Sequence, residues 1–567
     1  MRDFFRLFDL KMQVLFGSHK KPEWLVDKSN LLVGENHQFI ITLLYSYDTA
    51  SKDNRWFQNP FLLEVASFII KDICQNKRMI RHRRLLPILS ETYPLVVKHL
   101  PKLRSQYEKY LFKLAKHYTE EVMQRKDLTQ LTSANVGYGT NHLAVELKGI
   151  AQYLNYCSKK CGAIKGLDKK FLKEFLQRFM NYMHPAGYWA ESDGPALNYN
   201  TLTAVSLMGL ANELGAVKKY WKNFLAVANF HTYATLPDGR YIDIMDGRNT
   251  NCAYLNRGAV LSITPEGSAL YQTMITLLEN SLPKYSLFAE PLALLLFDEK
   301  MKLKYGAKTS RSAWSKKKIE QKLGDFLVVK NQSWIAGASN IKFRPRPEGH
   351  FNLDYQNLLT LYHTDFGEIF GGQNSKNDPE ISFFSKFMNK FDGDFVKKPM
   401  PKYIPGNGYI EYKNNSLLVN RDYRGFEGCY EIIFKNARQL EIILYARARA
   451  EEYPIQCNLI LPCGVNHPIK SAKKKTITFD KKAKSLTNKE TGKYIVIDEV
   501  IAPWLISKNK GKKLKITVPD SATIKWPFKP WDTYNLKTDR ALYPEGWFCL
   551  MVIDLTNKPV KLLIDIV

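Results

Sequence analysis

Apolar residues repeat along this chain with two different periods. Between about residues 35 and 300 they recur at three- and four-residue steps, which predicts a succession of amphipathic helices. Leu143, Leu147 and Ile150 are one example. From about residue 326 onward the period is two, in stretches such as YIEYKNNSLLV, QLEIILYARA and KYIVIDEV, which predicts antiparallel strands separated by polar turns.

The stretch between the two patterns is polar and basic. Residues 304–322, KYGAKTSRSAWSKKKIEQK, have a composition typical of a linker or a surface connection. The sequence therefore predicts a multidomain α+β protein, with a helical domain over residues 1–310 and an antiparallel β domain over residues 311–567.

Composition adds a preference for negatively charged partners. Of the 567 residues, 45% are hydrophobic and 13% aromatic, which is typical of a folded protein. The formal net charge of +28 favours nucleic acid, anionic lipid or acidic polysaccharide as a partner. The chain carries no nucleic-acid-binding motif and no apolar run of the roughly 18 residues that span a bilayer. Neither nucleic acid nor a membrane span is therefore expected.

The first candidate for chemistry is the pair Asn141-His142, in GYGTNHLAVELKGI. The apolar stripe begins directly after this pair, so both residues are expected at a helix N-terminus. Free N–H groups and the positive end of the helix dipole favour an anion such as a carboxylate there. The alternative is that Thr140 or Asn141 only caps the helix and that His142 is a surface residue.

The second candidate is a Gly- and Pro-rich loop, HPAGYWAESDGPALNYN, that precedes a long helix. Loops of this kind, held by helices, form the walls of clefts. Its aromatic rings offer flat faces on which sugars stack, and its amides can hydrogen-bond hydroxyl groups. The alternative is an aromatic plug between helices. The candidate side chains of this loop are Tyr188, Trp189, Glu191, Asn198, Tyr199 and Asn200.

Two Asp-Gly-Arg turns flank a short extended segment in TLPDGRYIDIMDGRNTN. Arg240 and Arg248 are candidates to hold a substrate carboxylate or sulfate through two hydrogen bonds each. The alternative, for at least one of them, is pairing with its own Asp neighbour.

Two histidines lie near the start of the β half, His350 in GHFNLD and His363 in LYHTDFG. Both are candidates for substrate contact or proton transfer. His350 is favoured because it follows a Gly in a Pro-rich approach, whereas His363 alternates within a strand. A metal site would need three well-placed ligands, and none is predicted.

Together these motifs resemble the heparinase II/III-like polysaccharide lyases, a superfamily that includes alginate and oligoalginate lyases. The shared features are an adjacent Asn-His at a helix start, a Tyr on the loop after a later helix hairpin, and a His from a C-terminal β half. The resemblance implies an N-terminal α,α-toroid, an incomplete barrel of helices, followed by a C-terminal antiparallel β-sandwich. It implies no cofactor. Residue 352 is Asn rather than the second His of the family's His-x-His-x-Asp signature, which leaves a structural metal in the β domain open.

The resemblance also implies roles for four residues, Asn141, His142, Tyr199 and His350. Such a lyase cleaves a uronic-acid polymer by β-elimination. The C5 proton is too weakly acidic to remove until the neighbouring carboxylate is neutralised, and amide and imidazole donors at a helix start, here Asn141 and His142, supply that stabilisation. A base, Tyr199 or His350, then takes the C5 proton. An acid protonates the departing 4-oxygen, which leaves a 4,5-unsaturated uronate end.

Two other functions stay open at this point. A glycoside hydrolase on the same toroid would need two carboxylates roughly 5 to 10 Å apart. A non-catalytic protein would hold an acidic glycan in the aromatic cleft without cleaving it. A polymer substrate favours a periplasmic or secreted location, although the N-terminus shows no export signal, and the oligomeric state is open. The candidate carboxylates for a hydrolase are Glu191, Asp193, Asp243 and Asp246.

Overall fold

The chain forms two compact units in the computed structural model. The first comprises Met1–Ser192, Asn198–Thr232 and Ala253–Ser312, and the second comprises Asp193–Leu197, Tyr233–Cys252 and Ala313–Val567. The predicted division after residue 310 did not include the two short segments that the second unit takes from the helical half. The structure describes residues 1–17, 37–75, 83–124, 131–133, 136–137, 140–191, 194–245, 258–281, 290–309, 311–341, 358–371, 383–386, 406–423, 425–449, 455–461, 469–473, 476–477, 484–497, 512–528, 548–556 and 558–567.

Helices build the first unit, as the three- and four-residue spacing predicts. A short antiparallel pair of strands, β1 (Leu131–Ser133) and β2 (Val136–Gly137), precedes the sixth helix. The helices are α1 (Arg2–Gly17), α2 (Phe39–Asp48), α3 (Pro60–Gln75), α4 (Leu85–His99), α5 (Arg104–Gln124), α6 (Thr140–Tyr156), α7 (Ser158–Cys161), α8 (Lys169–Asn181), α9 (Leu197–Glu213), α10 (Trp221–Tyr233), α11 (Gly258–Leu261), α12 (Pro265–Ser281) and α13 (Glu290–Tyr305).

Helix α8 shows how local sequence sets these elements. Asp168 caps it, because the Asp168 carboxylate accepts a hydrogen bond from the N–H of Phe171 (2.7 Å). Leu172, Phe175 and Phe179 recur on one face and are buried in the helical core, while lysines occupy the opposite face.

Strands build the second unit, and every pair in it is antiparallel. One short helix, α14 (Asn488–Thr491), lies among them. The strands are β3 (Lys318–Leu323), β4 (Phe326–Asn331), β5 (Trp334–Ser339), β6 (Leu359–His363), β7 (Gly367–Phe370), β8 (Phe384–Lys386), β9 (Gly408–Lys413), β10 (Ser416–Tyr423), β11 (Phe426–Phe434), β12 (Gln439–Ala448), β13 (Ile455–Leu461), β14 (Ile469–Ser471), β15 (Thr476–Ile477), β16 (Lys484–Thr487), β17 (Tyr494–Ile497), β18 (Leu514–Thr517), β19 (Ala522–Phe528), β20 (Phe548–Asp554) and β21 (Val560–Ile566).

Three sheets share the core of the second unit. One has the order β3-β4-β5-β6-β7, the second β15-β14-β17-β18-β21-β12-β11-β10-β9, and the third β16-β19-β20-β13-β8. Buried and half-buried residues alternate along β10, with Leu417 and Val419 turned inward, which is the period of two expected for a strand with one covered face.

The polar join is shorter than predicted. Helix α13 continues to Tyr305, and β3 already begins at Lys318, so strand structure starts before residue 326. Along β3 only Ile319 and Leu323 are buried. The strand therefore exposes the charged residues that made the segment resemble a linker.

The segment around the first Asp-Gly-Arg turn packs on the first sheet of its own unit. Thr235 and Tyr241 form an isolated antiparallel bridge, and Asp243–Met245 form a turn of 3₁₀ helix. A Cβ atom added to Gly337 of β5 would lie 2.8 Å from Cγ2 of Ile242, so the glycine permits this close approach. In the part of the chain that the structure describes, no helix combines the length and the apolar character needed to cross a membrane.

Candidate functional site

The helix that carries Asn141 and His142 is held at its start by a distant side chain. Helix α6 begins at Thr140, so Asn141 and His142 lie in its first turn, at the helix N-terminus expected from the sequence. Oε2 of Glu191 accepts hydrogen bonds from the N–H of Thr140 (3.2 Å) and from its Oγ1 (2.7 Å). A carboxylate at this end of a helix satisfies free N–H groups and meets the positive end of the dipole. Glu191 therefore fixes the first turn of α6.

Asn141 lies in this first turn with one polar atom unpaired. The residue is 1% exposed, and its Oδ1 accepts a hydrogen bond from the N–H of His142 (2.9 Å). Its Nδ2 has no hydrogen-bond partner among the described residues. A buried donor without a partner costs about 1–3 kcal/mol, so this atom is suited to a ligand oxygen that supplies the missing acceptor. His142, beside it, is exposed.

A second helix start is held by the same loop. Asn200, in the first turn of α9, donates a hydrogen bond from Nδ2 to the carbonyl of Trp189 (3.0 Å). Its Oδ1 lies 2.6 Å from Nε2 of His231 on α10. Because Nδ2 already donates to a carbonyl, Oδ1 is the acceptor, and His231 carries a proton on Nε2.

These contacts anchor the first turns of α6 and α9 to one short stretch of chain. Glu191 binds Thr140, which precedes Asn141, and Trp189 binds Asn200, which follows Tyr199. Two residues of extended chain span at most about 7 Å, so the two anchor points on the loop are close together. The loop therefore fixes the helix start that bears Asn141 and the one that bears Tyr199.

Tyr199 is half-buried in α9. Its carbonyl accepts a hydrogen bond from Oγ1 of Thr203 (3.0 Å), which fixes the backbone at this turn. Asn198 belongs to the same helix, and its side chain lies outside the described residues. The first turn of α9 thus carries the Tyr199 phenol beside the Asn200 amide, which already hydrogen-bonds Trp189 and His231.

The two aromatic side chains of the loop are covered by protein, which corrects their interpretation as platforms for sugar rings. Trp189 is 1% exposed and donates a hydrogen bond from Nε1 to the carbonyl of Phe179 (2.7 Å). Tyr188 stacks on His184, with ring centroids 4.3 Å apart, and also contacts Phe230. Burial of these large rings is more favourable in free energy than their exposure to solvent. The observed arrangement is therefore the aromatic plug between helices.

Arg240 has partners within the protein, in place of the predicted substrate anion. Its Nε and Nη2 donate to Oδ2 of Asp238 (3.1 and 2.9 Å), and Nη1 donates to Glu368 of β7. Burial raises the pKa of Glu368, although the Arg240 charge opposes that shift, and Asp243 hydrogen-bonds the same carboxyl. Pairing of the arginine with its own Asp neighbour, the alternative from the sequence, is what the structure contains.

His363 is also a structural residue, which corrects its candidacy for substrate contact. It is 1% exposed, and its Nε2 donates to the carbonyl of Ala437 (2.8 Å). Its Nδ1 accepts from the N–H of Asp365 (3.2 Å). Burial lowers the pKa of His363, and a neutral ring with one donating and one accepting nitrogen matches both contacts.

Four sequence candidates lie outside the described residues: Asp193, Asp246, Arg248 and His350. Within the described ranges, no group of three or more His, Cys, Asp or Glu side chains is arranged to hold a metal ion.

Sequence reasoning missed His231. It is buried on α10 and is seven residues after Phe224, on the same apolar face. A histidine on an apolar helix face is a signal for a buried polar contact, but its partner, Asn200, is 31 residues away and could not be identified from spacing.

The fold is similar to those of solved polysaccharide lyases. A crystal structure of heparinase III matches with a TM-score of 0.51 at 12% sequence identity, covering 94% of this chain and 76% of that one. A mutant chondroitin AC lyase of Streptomyces coelicolor A3 matches with a TM-score of 0.51 at 11% identity, covering 100% of this chain and 79% of that one. The sequence itself matches no family profile and no curated protein. The predicted resemblance to heparinase-like polysaccharide lyases is thus confirmed at the level of the fold.

Proposed function

We propose that this protein is a polysaccharide lyase that cleaves a uronic-acid-containing acidic polysaccharide by β-elimination. In this proposal the helical unit is an α,α-toroid, the β unit is a sandwich, and the enzyme meets its polymer in the periplasm or outside the cell. One observation carries the proposal: the buried, unpaired Nδ2 of Asn141, at a helix start tied by residues 189–191 to the helix start that bears Tyr199.

Asn141 and His142 receive the carboxylate of the uronate. Nδ2 of Asn141 donates to a carboxylate oxygen, and the positive end of the α6 dipole adds to the attraction. This contact strengthens as the C5 proton leaves, because negative charge then moves onto the carboxylate. Removal of the proton becomes feasible near neutral pH as a result.

Tyr199 transfers the protons. As base it takes the C5 proton, the electron pair of the C5–H bond forms the C4=C5 double bond, and the bond from C4 to the bridging oxygen breaks. The departing oxygen takes a proton from Tyr199 or from a second acid, for which His350 is the candidate. The products are a new non-reducing end with a 4,5-unsaturated uronate and a shortened chain with a hydroxyl group.

The test is incubation with a panel of acidic polysaccharides: alginate, glucuronan, heparan sulfate and chondroitin. We expect at least one to give the ultraviolet absorbance of an unsaturated uronate, and the Tyr199→Phe protein to give none. New reducing ends without that absorbance would replace the proposal with a hydrolase. Binding of a glycan without any cleavage would replace it with a non-catalytic binding protein.

A further inference from the structure

We infer that the exposed face of α8 is a second contact surface for an acidic polysaccharide, separate from Asn141 and Tyr199. The inference rests on the proposed function for the chemical class of its partner. The buried face of α8 packs into the helical core, and the opposite face exposes Lys169, Lys170, Lys173 and Arg178. The surface is therefore a positively charged strip on a rigid element.

A shallow groove of about 620 Å³ that is broadly open to solvent follows this strip. Its lining residues lie at positions i, i+3, i+4, i+7 and i+8 of one helix, so they share a face. At about 1.5 Å rise per residue they extend over about 12 Å. We call this the α8 groove, and it is lined by Lys170, Lys173, Glu174, Gln177 and Arg178.

The turn that precedes α10 widens the charged surface. Nζ of Lys219 and the hydroxyl of Tyr220 both donate to Oε1 of Gln177, at 2.8 and 2.9 Å. Lys218 and Lys222 are exposed on either side of that contact. Gln177 therefore joins two basic elements into one surface, in which Glu174 is the acidic member of the groove lining.

Most of this charge is not neutralised inside the protein. Lys170, Lys173, Lys218 and Lys222 make no ion pair with any described residue. Like charges held this close repel one another, and a linear polyanion relieves the repulsion while releasing its own counterions. If these lysines contacted only water, the repulsion among them would not be relieved.

The groove chemistry favours a carboxylated or sulfated glycan over nucleic acid. Proteins that hold single strands stack bases on aromatic side chains, and the five lining residues include none. Lysine ammonium groups and an arginine fork match carboxylate and sulfate groups.

The position of α8 links this surface to the candidate site. The carbonyl of Phe179, near the end of α8, accepts the hydrogen bond from Nε1 of Trp189 (2.7 Å), and the loop 189–191 holds the starts of α6 and α9. A polymer bound along α8 is thus held on a helix attached directly to the site. The groove should therefore increase the affinity for long chains much more than the affinity for short oligosaccharides.

The experiment compares two variants with the same loss of charge in the full-length protein. The test variant combines Lys170→Gln, Lys173→Gln and Lys219→Gln. The control combines Lys102→Gln, Lys109→Gln and Lys113→Gln, three exposed lysines of the same unit that do not line the groove. Binding of fluorescent heparin and of fluorescent alginate is followed by anisotropy over a range of salt concentrations.

We expect about tenfold weaker binding of at least one of these chains by the test variant at low salt, with a shallower dependence on salt concentration, and binding close to that of the unaltered protein by the control. The inference would be overturned if both variants lost the same amount of glycan affinity or if the test variant lost none. It would also be overturned if a DNA duplex bound the groove more tightly than either glycan.

A kinetic comparison separates this inference from the proposed function. If a uronate polymer is cleaved, kcat/KM of the test variant should fall more for long chains than for tetrasaccharides. If the test variant instead cleaves long chains as fast as the unaltered protein, the groove does not contribute to substrate binding, and the lyase proposal is unaffected. If no polymer is cleaved but only the test variant loses glycan binding, the lyase proposal is wrong and the inference about the groove is supported.

Discussion

Glu191 and Thr140 are 51 residues apart in the chain, yet the Glu191 carboxylate accepts two hydrogen bonds from Thr140 at the start of α6. The carboxylate thereby orients the turn that contains Asn141. It also leaves Glu191 occupied with a structural task, which weakens its candidacy as one of two carboxylates in a hydrolase.

A double-mutant cycle tests that contact. Glu191→Gln and Thr140→Val should each lower the free energy of unfolding by about 1 kcal/mol, because each weakens the cap on α6. The double variant should lose clearly less than the sum, since both changes remove the same interaction. Urea unfolding of the three variants measures this. A Glu191→Gln protein of normal stability with no activity, beside an active Thr140→Val protein, would instead favour the hydrolase.

Tyr199→Phe should abolish turnover and leave glycan binding nearly intact. Only the hydroxyl that transfers protons is removed, and the ring remains. Initial rates by ultraviolet absorbance and binding by calorimetry give the two quantities. Tyr156→Phe is the matched control, because the Tyr156 hydroxyl is exposed on α6 and bonds Glu213. Near-normal rates for Tyr199→Phe would remove Tyr199 from the mechanism.

Asn141→Ala should lower kcat by about 10²-fold or more, as removal of a donor to developing negative charge does, with a smaller rise in KM. Asn141→Asp should be more severe, since it keeps an acceptor for the His142 N–H but places a negative charge where the substrate carboxylate docks. Steady-state kinetics on the cleaved polymer distinguish the outcomes. A rise in KM alone for Asn141→Ala would mean that Asn141 binds substrate without stabilising the transition state.

Gly187→Ala should destabilise the protein by at least about 2 kcal/mol more than Gly215→Ala. Gly187 has a φ of +99°, and an added Cβ would lie 2.2 Å from the carbonyl oxygen of Ala226 on α10. Gly215 also has positive φ, +66°, but nothing lies within 4 Å of its Cβ position. Comparing the two variants separates the steric cost of the close approach between the loop and α10 from the conformational cost of a left-handed backbone, which both positions share. Equal unfolding midpoints in urea would refute the close approach.

Asp298 should make stability fall as pH rises. Burial raises the pKa of this carboxyl from 3.8 to about 8, although hydrogen bonds from the N–H groups of Gly258 and Ala259 oppose the shift. Between about pH 4 and 8 the folded protein keeps a proton that the unfolded chain releases, so its stabilising effect is complete at the acidic end and lost at the basic end. Asp298→Asn should flatten this part of the stability profile in urea titrations. An unchanged slope would contradict the assignment.

Part of the candidate site could be predicted from the sequence because it depends on neighbours in the chain. The apolar stripe that begins at Leu143 predicts a helix start at Asn141 and His142, and both residues lie in the first turn of α6. The hydrogen bond between Asn200 and His231 could not be predicted, since it joins two helices whose faces are paired only by packing.

The change from helices to strands could be predicted from the spacing of apolar residues, because that spacing must match the backbone period of the element that buries them. Which polar and aromatic groups are available to a ligand depends on the packing of the folded chain. Trp189 and His363 carry the right chemistry for a site, but both side chains are buried. The indole N–H of Trp189 bonds the carbonyl of Phe179, and the His363 ring bonds the carbonyl of Ala437, 74 residues away. Burial depends on what packs above a side chain, and that is settled by contacts between distant elements.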